Sequence, residues 1–181
     1  MSEITVWTIG HSNRSIEEFI NLLQINLIEC VLDIRTVPKS KNNPQFGQDE
    51  LPEFLINVGI GYQQIPFLGG LRRPQPDTLN GGWRNTSFRG YADYMQTIEF
   101  TLAVEGVIEL SRTMRCALMC AEAVPWRCHR SLVGDALIVR NIAVLEIIGQ
   151  QQPRSHKLTP FAHVDGLTIT YPPEMGNRDE H

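Results

Sequence analysis

Lysine is scarce in this sequence: Lys39, Lys41 and Lys157 are the only three among sixteen basic residues, and the other thirteen are arginines. The formal net charge of -4 argues against a generally basic coat for nucleic acid. Cysteine is limited to Cys30, Cys116, Cys120 and Cys128, too few for a secreted disulfide scaffold. Two of them lie in strand-like apolar runs, where a reduced thiol acts as a small hydrophobe. No apolar stretch approaches the roughly 20 residues of a membrane span. The N-terminus MSEITVWTIGHS lacks the charged-then-apolar pattern of an export signal. There is no internal repeat, heptad or low-complexity segment. The expectation is a cytoplasmic protein with no membrane partner.

What is present is an ordinary globular balance, 42% hydrophobic and 20% charged over 181 residues, enough to bury a core without disulfides or metal. One α/β domain is expected over 1–173, followed by a frayed tail at 174–181. Arginine recognises phosphate and carboxylate with two parallel hydrogen bonds, and many arginines here fall in loops: Arg14, Arg35, Arg72, Arg73, Arg84, Arg89, Arg127 and Arg130. A local anion site is one reading; solvated or ion-paired surface arginines are the other.

Taken in order, Val6 to Ile9 is a short strand stopped by Gly10, and Ser15 to Glu18 has the spacing of a capping box that opens a helix. Cys30 to Ile34 is a second apolar strand, and a helix from Asp49 to about Val58 is expected next. Tyr62 to Ile65 is a third strand. A long loop rich in Gly, Pro, Asn and Arg then runs to Gly90, its Trp83, Phe88 and Tyr91 suggesting an ordered lid. Tyr91 to about Ser111 reads as one long helix, Cys116 to Cys120 as a strand, Ser131 onward as a helix and Ala143 to Ile148 as a fifth strand. Phe161 to Tyr171 alternates around Asp165-Gly166, a hairpin signal. The pattern predicts a mainly parallel sheet of about five strands with helices on both faces, plus a C-terminal β-hairpin.

The densest chemistry lies in RCALMCAEAVPWRCHRSLVGDALIVR, Arg115 to Arg140, which is strand, polar loop and helix. In open α/β sheets ligands sit outside the carboxyl ends of parallel strands, where helix N-termini also favour anions. Cys120, Glu122, Cys128 and His129 are candidates for covalent and proton-transfer chemistry: a thiol at a strand end facing a helix has its pKa lowered. Either cysteine could be the nucleophile, and Cys128 could instead be a resolving thiol for Cys120. His11, Ser12, Arg35, Ser40, Arg72, Arg127 and Arg130 are candidates for holding an anion, and Trp83, Tyr91 and Trp126 for a lid or a stacking face. Cys120, Cys128 and His129 could alternatively bind zinc or iron, although C-x7-C-H is not one of the strong paired spacings. No cofactor is required by the sequence.

Several motifs resemble the family catalogued as domain of unknown function 488: Thr8-Ile-Gly-His-Ser12, Leu32-Asp-Ile-Arg35 with Pro38 and Ser40, Pro44 with Phe46, Leu68-Gly-Gly70 with Arg72, Tyr91 to Met95, and Met119-Cys-Ala-Glu122 with Cys128-His-Arg130. The resemblance spans roughly 4–150 and implies an α/β fold with a site built from those loops, and no reaction. Where that family often closes its last strand with His-Ile, this sequence has Glu146-Ile147, with the next histidine at His156. A weaker, architectural likeness is to rhodanese-type sulfurtransferases and cysteine phosphatases, through Val31 to Arg35 and Ala117 to Cys120; the loop from Cys120 to Arg130 is longer and poorer in glycine than theirs.

Three functional readings follow. The first is a thiol-dependent hydrolase or transferase acting on a phosphate-bearing ligand such as a nucleotide or nucleic-acid component. The second is a non-catalytic nucleotide or nucleic-acid binding module, and the third a Cys/His metal-binding protein.

Overall fold

The computed structural model describes residues 3–174. Its strands are β1 (Thr5–Gly10), β2 (Cys30–Asp33), β3 (Gly61–Gln64), β4 (Cys116–Cys120), β5 (Ala143–Ile147), β6 (Arg154–Ser155), β7 (His163–Asp165) and β8 (Thr168–Thr170). The helices are α1 (Ile16–Ile25), α2 (Leu51–Ile56), α3 (Thr86–Tyr94), α4 (Ile98–Ser111) and α5 (Arg130–Ile138). Six strands form one sheet in the order β3-β2-β4-β1-β5-β6, and β7 and β8 form a separate hairpin. The first five strands of the sheet are parallel, and β6 pairs antiparallel with β5.

The apolar runs in β2 and β4 read as buried on both faces, and every residue of both strands is buried. One face packs Trp7, Ile9, Val31 and Met119 against Phe19 and Leu23 of α1 and Leu51 and Leu55 of α2. The other packs Val6, Leu32 and Leu118 against Tyr91 of α3, Phe100 and Val104 of α4, and Leu132 and Leu137 of α5.

This division creates the crevice. β1 and β4 are neighbours, with Gly10 opposite Cys120, yet β1 leads to a helix on one face and β4 to a helix on the other. The chain therefore leaves adjacent strand ends in opposite directions and opens a gap above them, the usual ligand position in such sheets. β2 flanks β4 with Asp33 opposite Met119, so its end faces the same gap.

Two helix boundaries differ from expectation. The long helix expected over 91–111 is two helices, because Thr97 caps a new start by accepting the Phe100 N–H, while Met95 ends α3. The expected start at Tyr91 is instead Thr86: Asn85 accepts the Ser87 and Phe88 N–H groups, so the long loop is shorter than it reads. The Ser15 cap is as expected, its hydroxyl accepting the Glu18 N–H. β6 went unread, since two residues are too few for an alternation signal. The hairpin turn sits at Asp165-Gly166, where Gly166 has φ 61°. Beyond Glu174 the expected tail lies outside the described residues. Among the described residues, no helix is long and apolar enough to cross a membrane.

Candidate functional site

A cleft of about 450 Å³ opens over the ends of β1, β2 and β4. His11 comes from the end of β1; Arg35, Thr36, Val37, Lys39 and Ser40 from the loop after β2; Cys120, Ala121 and Glu122 from the end of β4; Arg127, Cys128 and His129 from the turn before α5. Gly70, Leu71, Ser87 and Phe88 close the remaining side.

At its floor the sequence packs an arginine under a thiol. Arg130 has no exposed surface. Its Nη1 donates to Cys120 Sγ at 2.9 Å and to the Glu122 carbonyl at 2.7 Å, and Nη2 donates to the Ala123 carbonyl at 3.2 Å. The loop after β4 is thus wrapped around a guanidinium, which explains how a glycine-poor loop holds a fixed shape. Gly10 receives that loop: a Cβ there would stand 1.5 Å from the Glu122 carbonyl oxygen and 2.6 Å from Arg130 Nη1.

Cys120 and Cys128 are free, buried thiols that both meet Arg130. Burial opposes ionisation of Cys120, but the Cys128 thiol, the Arg130 charge and a Glu122 backbone contact outweigh it, and its pKa falls to about 7. Cys128 goes the other way: burial first, then the neighbouring Cys120 sulfur, push its thiol well above the usual range. Of the two thiols, Cys120 is the one whose ionisation the surroundings favour. Cys128 Sγ also accepts the Arg130 backbone N–H, at 3.4 Å, at the N-terminus of α5.

His129 is the histidine of the thiol pair. Its Nε2 lies 3.0 Å from the Ile34 carbonyl; a carbonyl only accepts, so this nitrogen carries the proton. Nδ1, facing Cys128 Sγ at 3.6 Å, keeps its lone pair. Burial, against the Ile34 and Leu68 carbonyls, lowers the imidazole to about 4, so the ring is neutral. Gly70 makes room for it, since a Cβ there would lie 2.5 Å from Nδ1.

His11 has no free nitrogen. Nδ1 donates to the Ser12 carbonyl at 2.7 Å, Nε2 accepts from Arg35 Nη1 at 3.3 Å, and the ring stacks on Phe46 at 4.4 Å. Burial, aided by the Arg35 charge, lowers its pKa to about 4. Arg35 is itself clamped by Asp33, which takes Nε at 2.9 Å and Nη2 at 2.7 Å and also accepts the Tyr62 hydroxyl at 2.5 Å.

The other sequence candidates fall elsewhere. Ser12, at φ 51°, turns out of the cleft after its N–H extends the ladder to the Ala121 carbonyl. Arg72 lies over the Tyr94 ring at 3.6 Å. Tyr91 is a core residue whose hydroxyl donates to the Leu68 carbonyl. Trp83 packs among Phe88, Phe161 and Tyr171, and Trp126 is exposed beneath Arg154. Neither tryptophan lines the cleft; both border a second cavity, of about 480 Å³, on the far side of the Pro125–Arg127 turn. Among the described residues, no group of three or more His, Cys, Asp or Glu side chains is placed to hold a metal ion. Cys120, Cys128 and His129 are not such a group.

Val37 and Leu71 had no catalytic residue type to announce them, whereas Phe88, one of the three aromatics read as a lid, does line the cleft. A second missed cluster had a signal, acidic residues inside apolar runs. Asp135 of α5 and Glu146 of β5 are buried and clamp His156 between them, Nε2 at 2.8 Å and Nδ1 at 2.7 Å. Burial alone would lower this imidazole, but the two carboxylates raise it to about 9. Tyr171 donates to Asp135 at 2.8 Å and Arg154 donates twice to Glu146, so the C-terminal segment is tied to the sheet by charge.

No curated protein and no solved structure shows a match to this chain. The family described as "Domain of unknown function DUF488" has a model that matches residues 15–137. That match takes in α1 through most of α5, including Arg35 and the whole Cys120 to Arg130 loop, and the chain belongs to this family.

Proposed function

We propose that this chain is a thiol-dependent hydrolase or transferase whose nucleophile is Cys120, acting on a phosphate-bearing ligand such as a nucleotide. The observation that carries this reading is the 2.9 Å contact between Cys120 Sγ and a fully buried arginine, at a strand end that opens into a cleft. A buried guanidinium beside a sulfur favours thiolate at neutral pH, which is the nucleophilic form. Arg130 therefore positions and activates the thiol and does not receive the ligand.

The anion falls instead to Lys39, Ser40 and Arg127, which line the cleft and take no part in the Arg130 network. Val37, Leu71 and Phe88 supply an apolar wall beside them, a polarity split that suits a flat ring joined to a phosphate. Glu122, exposed at the rim, and neutral His129 are the groups available for proton transfer.

The test is the alkylation rate of Cys120 against pH, read by peptide mass, with and without adenosine monophosphate. A midpoint near pH 7 and slowing by the nucleotide are expected. A Cys120 that stays inert below its ordinary thiol range overturns the reading.

A further inference from the structure

Two observations at the cleft floor are not used by a single-nucleophile reaction. The first is that Cys128 and Cys120 line the same cleft and are held by the same residue, Arg130 donating Nη1 to Cys120 Sγ at 2.9 Å and its backbone N–H to Cys128 Sγ at 3.4 Å. The second is that a neutral imidazole, His129, turns its lone pair toward Cys128 and not toward Cys120. A structural thiol needs neither an ionised neighbour nor a proton acceptor.

We propose that Cys120 and Cys128 form a peroxide-reducing dithiol, with Cys120 attacking a hydroperoxide and Cys128 resolving the product as an intramolecular disulfide. This rests on Cys120 being the thiolate of the reading above. The sulfur attacks the terminal oxygen of the hydroperoxide and the O–O bond breaks. The alkoxide leaves and takes a proton from solvent, and Cys120 becomes a sulfenic acid. The Cys128 proton passes by way of His129 Nδ1 to the Cys120 hydroxyl. The Cys128 sulfur then attacks the Cys120 sulfur, an S–S bond forms, the S–O bond breaks, and the hydroxyl departs as water with that proton. Two thiols have lost two electrons, and the hydroperoxide has gained them as alcohol and water. An external dithiol restores the pair by exchange, with Cys128 or Cys120 as the leaving thiol.

The surroundings favour each step. Arg130 Nη1 holds the attacking sulfur as thiolate. The Arg130 N–H on Cys128 Sγ, at the N-terminus of a nine-residue helix, stabilises the second thiolate as it forms. Val37, Leu71 and Phe88 offer an apolar wall to the organic half of an alkyl hydroperoxide. The remaining cysteine pair, Cys30 and Cys116, is a control within the same chain: both are buried in the sheet, away from the cleft.

The experiment treats the reduced full-length chain with hydrogen peroxide and, separately, with cumene hydroperoxide, and reads intact mass and tryptic peptides. Wild-type protein is expected to lose two hydrogen masses, with peptides 116–127 and 128–130 joined by a disulfide that dithiothreitol opens. Cumene hydroperoxide should oxidise it faster than hydrogen peroxide. Cys128→Ser should stop at a sulfenic acid that dimedone traps on Cys120, and dithiothreitol-driven consumption of hydroperoxide should fall to background in Cys120→Ser. The proposal is overturned if wild-type Cys120 accumulates as sulfenic or sulfinic acid without the joined peptides, if the bridge forms at Cys30 and Cys116 instead, or if no thiol is oxidised. Where Cys120 alkylates with a lowered pKa and no disulfide forms, this inference fails alone; where Cys120 is inert in both experiments, the thiol reading fails with it.

Discussion

Gly10 lies so close to Glu122 that the last residue of β1 cannot carry a side chain: its Cβ would fall 1.5 Å from the Glu122 carbonyl oxygen. The obstacle is backbone that Arg130 also holds, so it cannot swing aside as a flexible side chain would. The glycine at the end of β1 and the arginine at the start of α5 together fix the position of the cleft-floor thiol.

Gly10→Ala should therefore destabilise by about 3 kcal/mol, the upper end of overpacking costs. Its Cys120 alkylation midpoint should rise, because the displaced loop pulls away from Arg130. Urea unfolding and the alkylation profile measure the two effects. An unchanged midpoint with lowered stability would mean that the loop moves without disturbing the thiol contact.

Arg130→Met should raise the Cys120 midpoint from about 7 toward the ordinary thiol value. It also strips the Glu122 and Ala123 carbonyls of their donor, so a loss of about 3–5 kcal/mol, the usual cost of breaking a buried charged contact, is expected. Arg130→Lys keeps the charge without the fork and should recover part of the midpoint shift. A midpoint that stays near 7 in the methionine variant would assign the thiolate to Cys128 and the backbone instead.

The His156 clamp makes a pH prediction. Asp135, Glu146, Arg154 and Tyr171 all face it or its carboxylates, and its folded pKa is raised from 6.5 to about 9. The contribution is fully present below 6.5 and is lost as pH rises through about 9. Its size is at most roughly 3 kcal/mol. The stability advantage of the wild type over His156→Gln should shrink between about pH 6 and about pH 10, a comparison in which the opposite-signed titration of Cys120 cancels. A difference between the two proteins that stays level over that range would show the clamp to be uncharged.

Thr97→Ala removes the cap that separates α3 from α4. About 1 kcal/mol of stability should be lost, with little change in Cys120 reactivity, since the cap lies far along the chain from the cleft loops. Thermal melting and the same alkylation profile check both halves. A large change in reactivity would tie the α3–α4 joint to the cleft, through Phe88 and Ser87.

Much of the fold was legible because burial leaves a periodic trace. β2 and β4 are apolar on successive residues, as strands buried on both faces must be, and Ser15 announced α1 through a side chain acting on its own next turn. The break at Thr97 was harder to read, since a threonine inside an apolar helical pattern is a cap only if the preceding helix has already ended. The gathering of these residues at one cleft was also legible: Arg35, Cys120 and the Cys128 to Arg130 cluster all follow strands, and parallel strands put their following loops at one edge.

Roles were less legible than places. Arg127 and Arg130 look alike in sequence, yet one lines the cleft and the other lies wholly beneath it. Asp135, Glu146 and His156 look like unrelated charges until β5 and α5 are packed and the C-terminal segment folds back across them.

The sequence by itself determined the class of fold, the order of its elements and the strand ends where chemistry gathers, because helix caps and apolar periodicity act over a few neighbouring residues. Only the tertiary structure decided which thiol lies against a guanidinium, which arginine supplies it, which histidine keeps a free nitrogen and which tryptophans stay outside the cleft. Those properties are set by distances of a few ångströms between residues from different strands and loops, and by burial, and neither exists until the sheet has brought β1, β2 and β4 side by side.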